Sequence, residues 1–103
     1  MPNNLIEDVI AIRRFYLASE QGADREVIVA IGRPQKHADF EEYRCPYQIR
    51  GIGSEKVRSI AGIDGVQALQ GALGVISADL QALNAEYNQR LRWEAGEEGD
   101  LGF

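Results

Sequence analysis

At Asp64 the apolar pattern of this 103-residue chain changes period, and that one change constrains the fold more than any other feature. Upstream of it, apolar residues come in short β-branched and aromatic runs. Downstream, Val66, Leu69, Leu73, Ile76, Leu80, Leu83 and Tyr87 are spaced 3, 4, 3, 4, 3 and 4. That spacing lays one apolar stripe along an α-helix. Asp64 is a suitable N-cap, and Gln67 three residues on completes a capping-box pattern. The helix is expected over residues 65–89, roughly 36 Å long at the helical rise per residue. Gly71 and Gly74 fall inside it. Each costs up to about 1 kcal/mol against alanine, so close backbone packing is expected at both.

The runs before Asp64 read as strands. Residues 9–18 and 25–31 are rich in β-branched and aromatic side chains, and Gln21-Gly22-Ala23-Asp24 supplies a turn, so the two form a hairpin. The second run is almost all apolar, which suits a central position covered on both faces. Residues 32–39, with Pro34, form the clearest break and read as a loop. In the third strand, residues 40–52, Tyr43, Cys45, Tyr47 and Ile49 point one way and Arg44, Pro46, Gln48 and Arg50 the other. Pro46 cannot donate to a ladder, which places this strand at an edge or bulges it there. Gly51 and Gly53 allow a sharp bend, and a fourth strand is expected over residues 56–63. Leu91-Arg92-Trp93 reads as one more short strand. Strands first and one helix last define an α+β domain: an antiparallel sheet of about four strands followed by one long C-terminal helix packed on one face. One domain is expected over residues 1–103, strand-rich in 5–63, helical in 64–89, with a short strand and acidic tail in 90–103. The apolar stripe would also serve a helix–helix seam, and a homodimer is a further expectation.

The net charge of −5 is unevenly placed. Residues 1–60 hold nine basic and nine acidic side chains, whereas residues 61–103 hold two and seven. An acidic balance argues against nucleic-acid binding, which needs a basic footprint. No apolar run reaches the roughly 20 residues of a membrane span, so no membrane role is expected. The N-terminus has neither the basic nor the apolar region of a signal peptide, and the lone Cys45 cannot close an intrachain disulfide. A cytoplasmic location follows as the expectation.

Groups able to carry chemistry are few. His37, the sole histidine, lies in the polar loop, where a solvated residue is the simpler reading than a ligand or base. Cys45 could pair with His37 on paper, but its inward phase points to a buried, inert thiol. No metal-ligand spacing and no phosphate-binding glycine motif is present, and Gly51-Ile52-Gly53-Ser54 reads as a hairpin bend. Neither a metal nor a cofactor is expected, and no catalytic residue is assigned. Glu94, Glu97, Glu98 and Asp100 form an acidic cluster that suits either solvent or a basic partner, and it misses the spacing of a calcium loop. Leu101 and Phe103 beyond it suggest a tail that returns and packs, or that binds another chain. Arg13, Arg14, Arg44, Arg50 and Arg58 lie on strands. Pairing that brings Arg44 and Arg50 near Arg13 or Arg14 would make a patch able to hold a phosphate or an acidic partner. Tyr16, Tyr43, Tyr47 and Trp93 could line an aromatic pocket, with core packing as the better reading.

Four blocks bear a resemblance. They are Arg25-Glu26-Val27-Ile28-Val29 with Ile31-Gly32-Arg33-Pro34; residues 43–49 with Gly51-Ile52-Gly53; Gly62-Ile63-Asp64 leading into Gln67-Ala68-Leu69 and Ala72-Leu73; and Gly99-Asp100-Leu101-Gly102-Phe103. In that order they resemble a family of small bacterial proteins classed as a domain of unknown function. The resemblance implies a bacterial source and a stand-alone domain, and it carries no activity and no catalytic residue. Three classes of function then stand in order. A protein-interaction or regulatory module comes first, with Glu97, Glu98, Asp100, Leu101 and Phe103 as its contact. A small anionic-ligand module using Arg13, Arg14, Arg44 and Arg50 comes second. An enzyme comes last, for want of an acid–base, nucleophile or metal set.

Overall fold

The computed structural model describes residues 6–19, 21–36, 38–39, 41–97 and 99–103. Its elements run β1 (Val9–Leu17), β2 (Arg25–Gly32), β3 (Gln35–Lys36), β4 (Tyr43–Arg50), β5 (Arg58–Gly62), α1 (Gly65–Glu86) and β6 (Leu91–Trp93). Every strand pairing is antiparallel, as expected. β1 and β2 form the hairpin, and β2 is central, between β1 and β4. β6 pairs the outer edge of β1 at its C-terminal end, Phe15 with Trp93 and Leu17 with Leu91.

The expected loop at 32–39 contains a strand. β3 pairs Gln35 with Arg44 and Lys36 with Tyr43, while β5 pairs the same two β4 residues from the other side. β3 therefore shares an edge of β4 with β2 and continues it past Arg33-Pro34 with a one-residue shift of register. Pro46 consequently lies in an interior strand, not at an edge. Continuing the β2–β4 register sets it opposite Gly32, the last residue of β2. A Cβ on Gly32 would lie 2.6 Å from Pro46 Cγ, so only glycine fits beneath that ring.

The helix begins as its sequence dictates. The Asp64 carboxylate accepts from Gln67 N–H at 2.8 Å, and Gln67 Oε1 accepts from Ile63 N–H at 2.8 Å. Its buried face differs from the stripe. The side chains turned fully into the protein are Ala68, Ala72, Ile76, Leu80 and Asn84, while Val66 is 64% exposed and Leu73 37%. The reason is proximity. A Cβ on Gly62 would fall 2.4 Å from Ala68 N, and one on Gly71 would fall 2.8 Å from Ile60 Cγ2. The first turns of α1 lie too near β5 for anything larger than alanine, so the bulky apolar residues are displaced to the flanks. Gly74 has nothing within 4 Å of its missing Cβ, so the close packing expected there does not occur. The helix also ends earlier than 89, because Asn88 and Gln89 take left-handed backbone at φ 60° and 62°.

α1 rests on β4 and β5. The same side of β1 and β6 is covered by the C-terminal segment instead, through Leu101 in the core and Phe103 stacked at 6.3 Å on Phe15. The core is thus Val27, Val29, Cys45, Tyr47, Ile49 and Phe15 from the sheet, closed by a helix on one half and a strap on the other.

Candidate functional site

Side chains directly opposed in antiparallel strands share a face. Phe15, Val27 and Leu17 turn toward the core, so Arg13, in their phase, does too, and Arg14 points away. Arg14 opposes Ile28, which opposes Arg50, so these two arginines occupy one row on the open face, with Ile28 between them. Arg44 shares that face but lies six residues along β4, about 20 Å away at the strand rise. The four arginines therefore do not converge. Arg14 meets Glu26 at 3.7 Å, Arg44 meets Glu42 at 2.9 Å, and Arg50 donates to Gln48 Oε1 at 2.9 Å. The open face also carries Val9, Ile12 and Tyr16, which are 41%, 50% and 40% exposed.

Arg13 fastens the tail. Its guanidinium lies 4.2 Å over the Trp93 ring and 4.9 Å from the Phe103 ring, and it donates to the Gly102 carbonyl. Gly102 takes φ +78°, and a Cβ there would fall 2.7 Å from Trp93, so the close approach requires glycine. Leu101 is buried, Phe103 half-covered, and Glu97 and Asp100 remain exposed beside them. Glu98 and His37 lie outside the described residues. Cys45 is fully buried, its Sγ 3.6 Å from the Gly32 carbonyl, and burial pushes its thiol up from the ordinary range. Tyr16 lies on the opposite face from Tyr47 and Trp93, so these rings line no common pocket. Among the described residues no cluster of His, Cys, Asp or Glu could hold a metal ion.

The cleft with the best-formed chemistry lies on the helix side of the sheet, between β4, β5, the 51–57 loop and α1. It encloses about 220 Å3. Tyr47 on β4 and Arg58 on β5 are directly opposed, and α1 brings Asp79 down on both. Tyr47 Oη donates to Asp79 Oδ2 at 2.7 Å, and Arg58 Nη1 lies 3.5 Å from the same oxygen. Burial, then the bond to Asp79, holds the Tyr47 hydroxyl above its usual range, and the contact with Tyr47 raises Arg58 further still. Ile49, Ile52 and Leu83 form the apolar floor, with Ser54, Lys56 and Arg58 around the mouth. Gly51 and Gly53 turn the loop at φ 101° and 71°, and Glu55 takes φ 59°. Gln48 Nε2 donates to Glu55 O at 2.8 Å and Gly51 N–H to Glu55 Oε1 at 3.1 Å, which fixes the loop over the cleft.

Asp79 was not singled out by the sequence. The available signal was an acid three residues after Ile76 and four before Leu83, at the margin of the apolar stripe, where a charge needs a partner.

These features define an α+β domain whose sheet face opposite α1 is covered by Ile6 over Ala30 and Gln48 and open along β1, and among its described residues no helix is long and apolar enough to cross a membrane. The chain belongs to the family described as Domain of unknown function (DUF6968), whose model matches residues 11–103. No curated protein and no solved structure matches it.

Proposed function

We propose that this domain is a cytoplasmic, non-catalytic protein-interaction module whose open sheet face receives an apolar, acidic segment of a partner protein. The observation behind this reading is the line of exposed Val9, Ile12 and Tyr16 along β1, on the face that carries Arg14 and Arg50. An apolar strip gains stability by being covered; on this face Ile6 covers Ala30 and Gln48 and leaves the strip along β1 exposed. Arg14, Arg50 and Arg92 lie on this face of a chain whose net charge is −5, which favours an acidic partner over a second copy.

The test is capture from source lysate with tagged wild type, Ile12→Asp and Arg50→Glu as parallel baits, at low and high salt. One stoichiometric protein held by the wild type, released by salt and lost from both variants supports the reading. A protein held equally by all three baits refutes the assignment of this face and returns the contact to Glu97 and Asp100. A second reading rests on the Arg14–Ile28–Arg50 row, which could grip one small anion. A thermal shift with inorganic phosphate that disappears in Arg50→Glu would favour it.

A further inference from the structure

We propose that the Tyr47–Arg58–Asp79 cleft is a binding site for a small organic carboxylate with a compact apolar body, such as an aryl or branched-chain acid. It lies across the sheet from the face considered above and is independent of it. The cleft joins two unlike halves. Its floor is Ile49, Ile52 and Leu83, and its rim sets the donors Ser54, Lys56 and Arg58 beside the acids Glu55 and Asp79.

Acceptors and donors at the rim are unequally engaged. Asp79 Oδ2 already takes the Tyr47 hydroxyl and faces Arg58, and Glu55 Oε1 takes the Gly51 amide. Arg58 offers five N–H donors, more than its contacts with Tyr47 and Asp79 occupy. Among the described residues the Lys56 ammonium has no partner. Ser54 adds a hydroxyl. The surplus is therefore of donors, and the group that answers it is an anion; a planar carboxylate matches the guanidinium fork.

Size and floor select the rest of the ligand. A cavity of about 150 Å3 accommodates benzene, and this one is about 220 Å3. One ring or a branched four- to five-carbon chain with its carboxylate therefore fills it. A bare phosphate would leave the floor uncovered. Asp79 acts as a positioning residue: it tethers Arg58 at the rim while Tyr47, directly opposite Arg58 on the sheet, donates to the Asp79 carboxylate and holds it in place. The loop is already held in place by Gln48, so entry of the ligand demands no refolding.

The experiment is titration of 15N-labelled protein with phenylacetate, isovalerate, phenylacetamide and inorganic phosphate. Saturable shifts confined to the amides of Gly53, Ser54, Lys56, Arg58 and Leu83 are expected with one or both acids. Phenylacetamide and phosphate should each bind at least about tenfold more weakly, as should both acids to Arg58→Gln. Ala82→Leu, which fills the cleft from an exposed helical position without altering the rim, should abolish the shifts while leaving the rest of the spectrum in place. Absence of saturation with either acid at about 10 mM overturns the proposal. So does equal binding of acid and amide, or undiminished binding to Ala82→Leu.

Discussion

Replacing Tyr47 by phenylalanine isolates one hydroxyl at the centre of the cleft. The ring is 2% exposed, and phenylalanine keeps its packing against the core. What is lost is the 2.7 Å bond to Asp79. A hydrogen bond to a charged acceptor contributes about 1.5–3 kcal/mol. The Asp79 side chain is 28% exposed and keeps Arg58 beside it, so water and the guanidinium recover part of that. A net loss of about 1–2 kcal/mol follows, or about 5–10 °C in Tm for a domain of this size. The pH dependence has a definite sign. Tyr47 is held above its usual range by burial and then by Asp79, so the folded chain keeps a proton that the unfolded chain releases near pH ~10. This contribution is complete below the unfolded value and declines as pH rises through the folded one. Wild type and Tyr47→Phe should therefore differ most near neutrality and differ less at about pH 11, above the unfolded tyrosine value. Urea unfolding followed by circular dichroism at both pH values measures this. A difference below about 0.5 kcal/mol at neutral pH, or one that widens at alkaline pH, would refute the reasoning.

Two further substitutions probe the frame. Arg13→Ala removes the Gly102 bond and both ring contacts, and should cost about 2 kcal/mol. Hydrogen exchange at 101–103 should accelerate while the amides of β4 and α1 keep their protection; uniform acceleration would mean that the tail is not held separately. Gly74→Ala meets open space and should stabilise the helix by about 0.5–1 kcal/mol. Gly71→Ala, whose methyl would crowd Ile60, should show no such gain in thermal unfolding.

The sequence carried the architecture well wherever local chemistry decides it. The period change at Asp64, the Asp64–Gln67 cap and the β1–β2 hairpin are all local, and all appear in the structure. The face of the helix was not legible, because apolar size marks what wants burial and not how near two backbones come. Ala68, Ala72 and Gly71 are small because β5 is close, and that distance is a tertiary fact. β3 escaped because two residues leave no alternation to detect. The cleft escaped for a related reason. Tyr47 read as inward and Arg58 as a strand arginine, but their meeting with Asp79 depends on how α1 lies over β4 and β5. The tail was half legible: Leu101 and Phe103 announced a return, and only the structure shows Arg13 receiving it.

The strap also sets an order of events for folding. Arg13 and Gly102 are 89 residues apart, and β6 is the strand that pairs the outer edge of β1. The β1–β2 hairpin can form as soon as its short turn closes, whereas the β1–β6 pairing must await nearly the whole chain. In the interval β1 offers a bare ladder edge at Phe15–Leu17, where β6 will pair, a template on which two nascent copies can pair with each other. Residues 91–103 therefore act late, as the step that withdraws that edge from intermolecular pairing. Variants that weaken the strap should reveal themselves first by lower soluble yield on refolding at high protein concentration.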